Sequence, residues 1–117
     1  MHHGKLLVIG LSAALLLQFG CGGASDVKLR NDLKQTGLAY HTYHDDNKKG
    51  PANWEEFLAH AKKSDPVAVA SIERVRDAGY QLKWDVKLNE VKEPTSSTVL
   101  GEKTGGGPKL YMDGAVK

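Results

Sequence analysis

Residues 29–44 read LRNDLKQTGLAYHTYH, and the spacing of their larger side chains decides the fold. Leucine, threonine and tyrosine recur every three or four positions, at Leu29, Leu33, Thr36, Tyr40 and Tyr43. That spacing places these side chains along one side of an α-helix. We therefore predict a helix of about 20 residues, about 30 Å long, that buries one stripe.

The bounds of this helix are indicated by its flanking residues. Ser25 and Asp26 supply a capping side chain and an acid for the first turn. The run DDNKKGP at 45–51 is rich in turn formers and ends the helix. Val27 and Leu38 fall on the face opposite the stripe, where they are either covered by a second partner or exposed.

Two short helices are expected next. Asn53 and Glu56 have the spacing of a capping box, which opens a helix through about residue 63. Asp65-Pro66 restarts the chain with a cap and a proline at the first helical position, and Gly79 stops it. The side chains expected to face inward are Trp54, Phe57, Leu58 and Ala61 on the first helix, and Val67, Ile72 and Val75 on the second.

The period then changes from helical to alternating. Residues 80–88, YQLKWDVKL, alternate apolar and polar side chains, which predicts a strand with one buried face. Further strands are expected at 98–103 and 109–112 around the glycine-rich turn 104–108. Asp113-Gly114 is typical of a type I′ hairpin, after which residues 115–117 fold back.

The predicted fold class is thus α+β. A long N-terminal helix and short helices pack on a small antiparallel meander of three to four strands. Leu33, Tyr40 and Tyr43 are expected to lie against the sheet face that carries Leu82, Trp84 and Val86.

The N-terminal residues have the pattern of an export signal. Lys5 precedes an uncharged run at 6–19, which is too short for a permanent spanning helix of roughly 20 residues and is typical of a secretory signal. Gly20, Cys21 and a Gly/Ala/Ser tether follow, which resembles a bacterial lipoprotein signal cleaved before Cys21. We divide the chain into a signal peptide at 1–20, a lipidated cysteine and tether at 21–25, and a domain at 26–117. Gln18 stands where such signals usually carry leucine, and ordinary secretion or an uncleaved anchor remain alternatives.

Composition excludes several classes of function. The 117 residues suffice for one domain, and a net charge of +2 is too small for a nucleic-acid surface. One cysteine excludes an intrachain disulfide and a multi-cysteine zinc site. The Gly-x-Ser-x-Gly nucleophile motif does not occur in the sequence, and we expect neither catalytic residues nor a cofactor.

Three stretches resemble the pilin-like proteins of the planctomycete type, which are related to type II secretion pseudopilins. They are NDLKQTGLAYHTYHD at 31–45, VLGEK at 99–103, and GGG at 105–107 followed by LYMDGAVK at 110–117. The resemblance implies a pilin-like head without catalysis. Pilins follow their peptidase site with a long apolar helix that bundles in the filament, whereas here the apolar run ends at Gly20-Cys21. We therefore expect a monomeric head that does not assemble into filaments.

His41 and His44 are the candidate metal ligands. Imidazoles three residues apart on a helix can bind zinc or copper, although a third ligand would be needed. The other interpretation is that both histidines pack near the end of the helix. The predicted function is an exported, membrane-anchored lipoprotein of the cell envelope, with a structural or interaction head and an envelope or secretion-system partner. The alternative is a metal- or ligand-binding lipoprotein that uses His41 and His44.

Overall fold

The computed structural model describes residues 26–117. Within them, helix α1 occupies 26–47, α2 Trp54–Ser64 and α3 Val69–Asp77, and the strands are β1 Gln81–Leu82, β2 Val99–Glu102 and β3 Leu110–Tyr111. The strands form one antiparallel sheet in the order β1-β2-β3. The predicted α+β class and the meander are therefore confirmed. The signal peptide, Cys21, the tether and the helix start at Ser25 lie outside the described residues.

Helix α1 buries the stripe that its spacing predicted. Leu33, Thr36 and Tyr40 are fully buried, Tyr43 is nearly so, and Leu29 packs half-buried against the core. Val27 and Leu38 on the opposite face are 60% and 59% exposed. The helix is thus held to the domain by one side, as expected of an amphipathic helix.

Helix α2 begins at the expected cap, although the capping box is only half formed. The Glu56 amide donates to the Asn53 side-chain oxygen at 2.8 Å. The Glu56 carboxylate does not return to the Asn53 amide; it accepts a hydrogen bond from the Tyr43 hydroxyl. Phe57, Leu58 and Ala61 are buried as predicted, and Trp54 is half-buried.

Helix α3 is preceded by a 3-10 turn, Pro66–Ala68, and Asp65 makes no side-chain cap. Val67, predicted to face inward, is 84% exposed, and Ala68 is buried in its place. Ala68 stands four residues before the fully buried Ile72 and so shares its face. Val67 lies one residue further back, about 140° away from Ile72 around a helix. The end of α3 is as predicted, because Gly79 adopts a left-handed φ of +94°.

The alternating segment 80–88 forms a much shorter strand than expected. Its ladder with β2 ends near Lys83, and Asp85 has a φ of +54°. The chain then pairs with residues 50–51: the Asp85 amide donates to the Pro51 carbonyl and the Gly50 amide to the Val86 carbonyl. Burial still alternates to the end of the segment, with every odd position exposed. The prediction of the buried face was correct, and that of a continuous strand was wrong.

The C-terminal hairpin closes by a different turn from the one predicted. The Gly114 amide donates to the Tyr111 carbonyl, and the Tyr111 amide to the Ala115 carbonyl. Gly114 has a φ of +90°, whereas Asp113 does not have the positive φ that a type I′ turn needs at both central residues. This is a three-residue loop with a left-handed glycine. Residues 115–117 fold back as expected, through the Leu110–Val116 bridge.

The core lies between α1, the two shorter helices and the sheet. The buried Tyr40 ring packs edge-on to Phe57 at 5.8 Å between centroids, and its hydroxyl donates to the Lys83 carbonyl at 2.7 Å. Tyr43 was expected to pack on the sheet, but it packs on α2 instead. Its ring centroid lies 4.8 Å from that of His60. Helix α1 therefore packs both against the short helices and on the side where the sheet lies.

Leu33→Ala should lower the free energy of unfolding by about 2–5 kcal/mol, because it leaves a cavity at a fully buried site. Leu38→Ala on the same helix makes the same chemical change at an exposed site and should change it by less than about 0.5 kcal/mol. Urea denaturation of the full chain in non-ionic detergent, followed by circular dichroism, measures both. Equal effects would show that the buried face of α1 is misassigned.

Candidate functional site

The predicted lipidation site, Cys21, lies outside the described residues, so its modification stays a prediction. Among residues 26–117, no helix is both long and apolar enough to span a bilayer. The candidate functional groups of the described domain are its histidines, its buried charges and the side chains of its surface groove.

The two candidate metal ligands contact different parts of the domain. His41 Nε2 lies 2.7 Å from the Met112 carbonyl oxygen, to which it donates. His44 Nε2 accepts from the Leu88 amide at 3.0 Å. The first bond needs a proton on Nε2 and the second needs a bare Nε2, so the two rings use this nitrogen in opposite roles. Each histidine joins α1 to a separate segment, one before the closing hairpin turn and one in the 3-10 turn Leu88–Glu90.

No group of three or more metal-ligating side chains is arranged around an ion position within residues 26–117. The structure thus places His41 and His44 in packing positions near the C-terminal end of α1. The choice between the two interpretations of the His-x-x-His spacing stays a prediction.

A cluster that sequence reasoning missed joins the end of α1 to α2. His60 Nε2 lies 2.9 Å from an Asp46 carboxylate oxygen and 3.4 Å from the Ser64 hydroxyl. The residue types are those of a catalytic triad, but serine and aspartate approach the same ring nitrogen. A triad needs them on opposite nitrogens, because the base must accept from one group while the other orients it. The cluster therefore links α1 to α2 and does not have the geometry of a catalytic triad.

The neighbouring Tyr43–Glu56 pair forms a second polar link between α1 and α2. Burial, followed by the hydrogen bond to the Glu56 carboxylate, raises the pKa of Tyr43 to about 12. A phenol held in its neutral form is a donor and not a general base at neutral pH. The spacing of Glu56 and His60, one turn apart on α2, is the sequence signal that could have indicated that both face α1.

Among residues 26–117, the ion pair with the most buried carboxylate is one that sequence reasoning also missed. Asp32 on α1 accepts two hydrogen bonds from the Arg74 guanidinium, both at 2.9 Å, and one from the Ser71 hydroxyl at 3.0 Å. Burial would raise the pKa of the Asp32 carboxyl, but the Arg74 and Ser71 hydrogen bonds and the Arg74 charge together lower it below its usual value. Both carboxylate oxygens are occupied, so Asp32 holds α3 to α1 and offers no free base.

A solvent-open groove lies beside α2 and α3. Its volume is about 560 Å³, and its apolar part consists of Trp54, Leu58 and Ala59. The charged side chains around it are Glu55, Lys62 and Lys63 from α2 and Arg76 from α3. Trp54 is supported from below by a stacked contact with Phe57 and an edge-on contact with Trp84. This α2–α3 groove is a preformed concavity with positive charge on its walls.

Comparisons with known proteins do not extend this description. No protein-family model, no curated protein and no solved structure matches the chain. The pilin-like resemblance therefore rests on the residues that carry it.

Asp32→Asn should lower the free energy of unfolding at pH 7 by about 1–3 kcal/mol, since charged hydrogen bonds are lost from a buried site. The pKa of Asp32 is lower in the folded than in the unfolded chain, where it is near 3.8. The stabilisation is thus complete above about pH 4 and is lost as the pH falls through the folded value. The difference between wild type and variant should shrink below pH 4 in urea titrations.

The matched control is Asp26→Asn, because Asp26 forms an exposed ion pair with Arg30 on the same helix. Exposed pairs contribute little, so this change should cost less than about 0.5 kcal/mol. A pH-independent Asp32→Asn effect would contradict the role of the ion pair.

Zinc binding can be tested directly. Because His41 and His44 are each engaged with a backbone group, an equimolar addition of Zn²⁺ should leave the thermal midpoint of the full chain unchanged. The His41→Gln, His44→Gln double variant serves as the control. A zinc-dependent rise in wild type that the double variant loses would restore the metal-binding alternative.

Proposed function

We propose that the chain is an exported lipoprotein whose acylated Cys21 anchors a non-catalytic, pilin-like structural or interaction head in the cell envelope. The observation that carries the proposal is the short uncharged run at 6–19 that ends in Gly20-Cys21 and a small-residue tether. An exported protein with one unpaired thiol is unusual, and acylation explains why the cysteine is there.

The lipid anchor accounts for how the head would be retained. Each buried methylene contributes about 0.8 kcal/mol, so one acyl chain binds marginally and several bind firmly. After cleavage the head would follow the lipid by a tether of four residues, Gly22, Gly23, Ala24 and Ser25. Such a tether keeps the head close to the membrane surface and lets it reorient.

The described domain supports a role in interaction rather than catalysis. Its histidines at 41, 44 and 60 bond to backbone groups or to a carboxylate that links two helices. The buried Asp32 is fully paired. Its most conspicuous polar side chains therefore serve to join elements of the fold, which leaves the surface as the place for function.

The pilin-like part of the proposal is supported by the order of the elements. A long amphipathic helix comes first and a small antiparallel meander last, in the positions where the three resembling stretches occur. Cleavage before Cys21 would discard residues 6–19, the run that could bundle with neighbours in a filament. The proposed head is therefore presented singly on the membrane.

Mass spectrometry of the membrane-extracted protein should find an acylated Cys21 as the first residue. Cys21→Ser should abolish the acyl mass and move the protein from the membrane to the soluble fraction, while Ser25→Ala in the same tether should do neither. An unmodified, cleaved N-terminus would indicate ordinary secretion. An intact Met1 would indicate an uncleaved anchor. Either result contradicts the proposal.

A further inference from the structure

We propose that the α2–α3 groove binds an extended acidic peptide segment of a partner protein, with an apolar side chain of the peptide on Trp54 and Leu58. The inference rests on the proposed function, because it names the kind of partner that the head would hold. Shape, charge and length each support this occupant.

The apolar part of the groove is rigid and preformed. Leu58 is 8% exposed and belongs to the core, so its position is set by the packing of the domain. Trp54 is wedged against Phe57 and Trp84, with ring centroids 6.5 and 5.1 Å apart. Ala59 beside them is exposed and small, which leaves the space above α2 open. A supported tryptophan beside a small residue provides a site for an apolar side chain at little entropic cost.

The charge on the groove walls selects an acidic occupant. Three cationic side chains line it against one carboxylate, that of Glu55. Arg76 is paired with Asp77 at 3.0 Å, so the two lysines supply the cations available to an acidic partner. Lys62 and Lys63 are exposed, and neither forms an ion pair with an acidic group of the described residues. Their place in the last turn of α2 suits the helix dipole. The dipole does not explain why they border an apolar concavity that a second helix completes with Arg76.

The dimensions of the groove favour a peptide over a single small anion. Lys62 follows Trp54 by eight residues, which corresponds to about 12 Å along the helix. Four residues of extended peptide span about 13 Å, so one segment can place an apolar side chain on Trp54 and a carboxylate at Lys62. A flat bilayer surface cannot follow the floor of a concave groove, which argues against anionic lipid as the occupant.

The test uses a fluorescent peptide of about eight residues in which glutamate alternates with leucine, a length that covers the groove. Its anisotropy is titrated with the full acylated chain in non-ionic detergent at low salt. We expect saturable binding, and at least tenfold weaker binding when lysine replaces glutamate or serine replaces leucine in the peptide. Equal binding of all three peptides would overturn the proposal, as would no binding of the first.

Variants of the chain locate the site. Ala59→Glu places a bulky anion on the open floor and should abolish binding, whereas Ala70→Glu, at an exposed site on α3 outside the groove, should not. The double variant Lys62→Ala, Lys63→Ala should weaken binding at least tenfold. The double variant Lys83→Ala, Lys92→Ala removes the same charge elsewhere and should change it less than twofold. Circular dichroism confirms that each variant is folded, and indifference to the groove variants would refute the site.

Two further outcomes separate this inference from its alternatives. If the Cys21→Ser chain binds phosphatidylglycerol vesicles through Lys62 and Lys63, the occupant is a membrane and the peptide proposal is wrong. Acylation of Cys21 is measured on the same preparation by mass spectrometry. If wild-type Cys21 is acylated and the peptide does not bind, only the peptide-binding proposal is refuted. If the peptide binds and wild-type Cys21 carries no acyl group, only the lipid anchor is refuted.

Discussion

The position of the Tyr40 ring is the constraint on which the rest of the domain depends. Its hydroxyl bonds to the Lys83 carbonyl and its ring packs on Phe57, so one buried side chain of α1 locates both α2 and the segment after β1. Gly50 closes the site from a third side, since a Cβ at that position would overlap the Tyr40 ring. Burial raises the pKa of Tyr40 to about 12, which keeps the hydroxyl a neutral donor over the physiological range. A buried phenol with a satisfied hydroxyl combines apolar area with a directional bond.

Polar contacts near both ends of α1 add to the constraint that Tyr40 sets. Near its start, Asp32 grips Arg74 and Ser71 of α3, and near its end Tyr43 and Asp46 contact Glu56 and His60 of α2. Each of these contacts joins residues that are 13 or more positions apart in sequence, and each is directional. Together with the buried stripe, these bonds fix the rotation of α1 about its axis. These polar residues of α1 therefore specify the geometry of the fold.

The packing of α2 and α3 against α1 determines which of their faces a partner could reach. Because α2 and α3 are held against α1 by their inner faces, their outer faces are left to form the groove around Trp54 and Leu58. A membrane-tethered head would then present a rigid concavity. Rigid, supported aromatic surfaces are well suited to binding, because little conformational freedom is lost when a partner arrives. The proposed lipid anchor would thus determine where the head is located, and the proposed groove would determine which partner it binds.

The sequence by itself determined the periodic parts of this protein. The stripe of α1, the Asn53 cap, the end at Gly79 and the buried face of 80–88 all follow from local spacing, because a helix or an extended chain fixes which residues share a side. The export signal and its cysteine are likewise local patterns, and they remain predictions.

Only the tertiary structure decided which partners meet. Alternation predicted burial but not the hydrogen-bonded ladder, because residues 85–86 pair with 50–51 rather than continuing along β2. The Asp32–Arg74 pair and the contacts of His41 and His44 join residues about 40 to 70 positions apart, and no local pattern encodes such distances. The groove likewise exists only because α2 and α3 lie side by side, so its cations and its tryptophan became a site through packing rather than through sequence spacing.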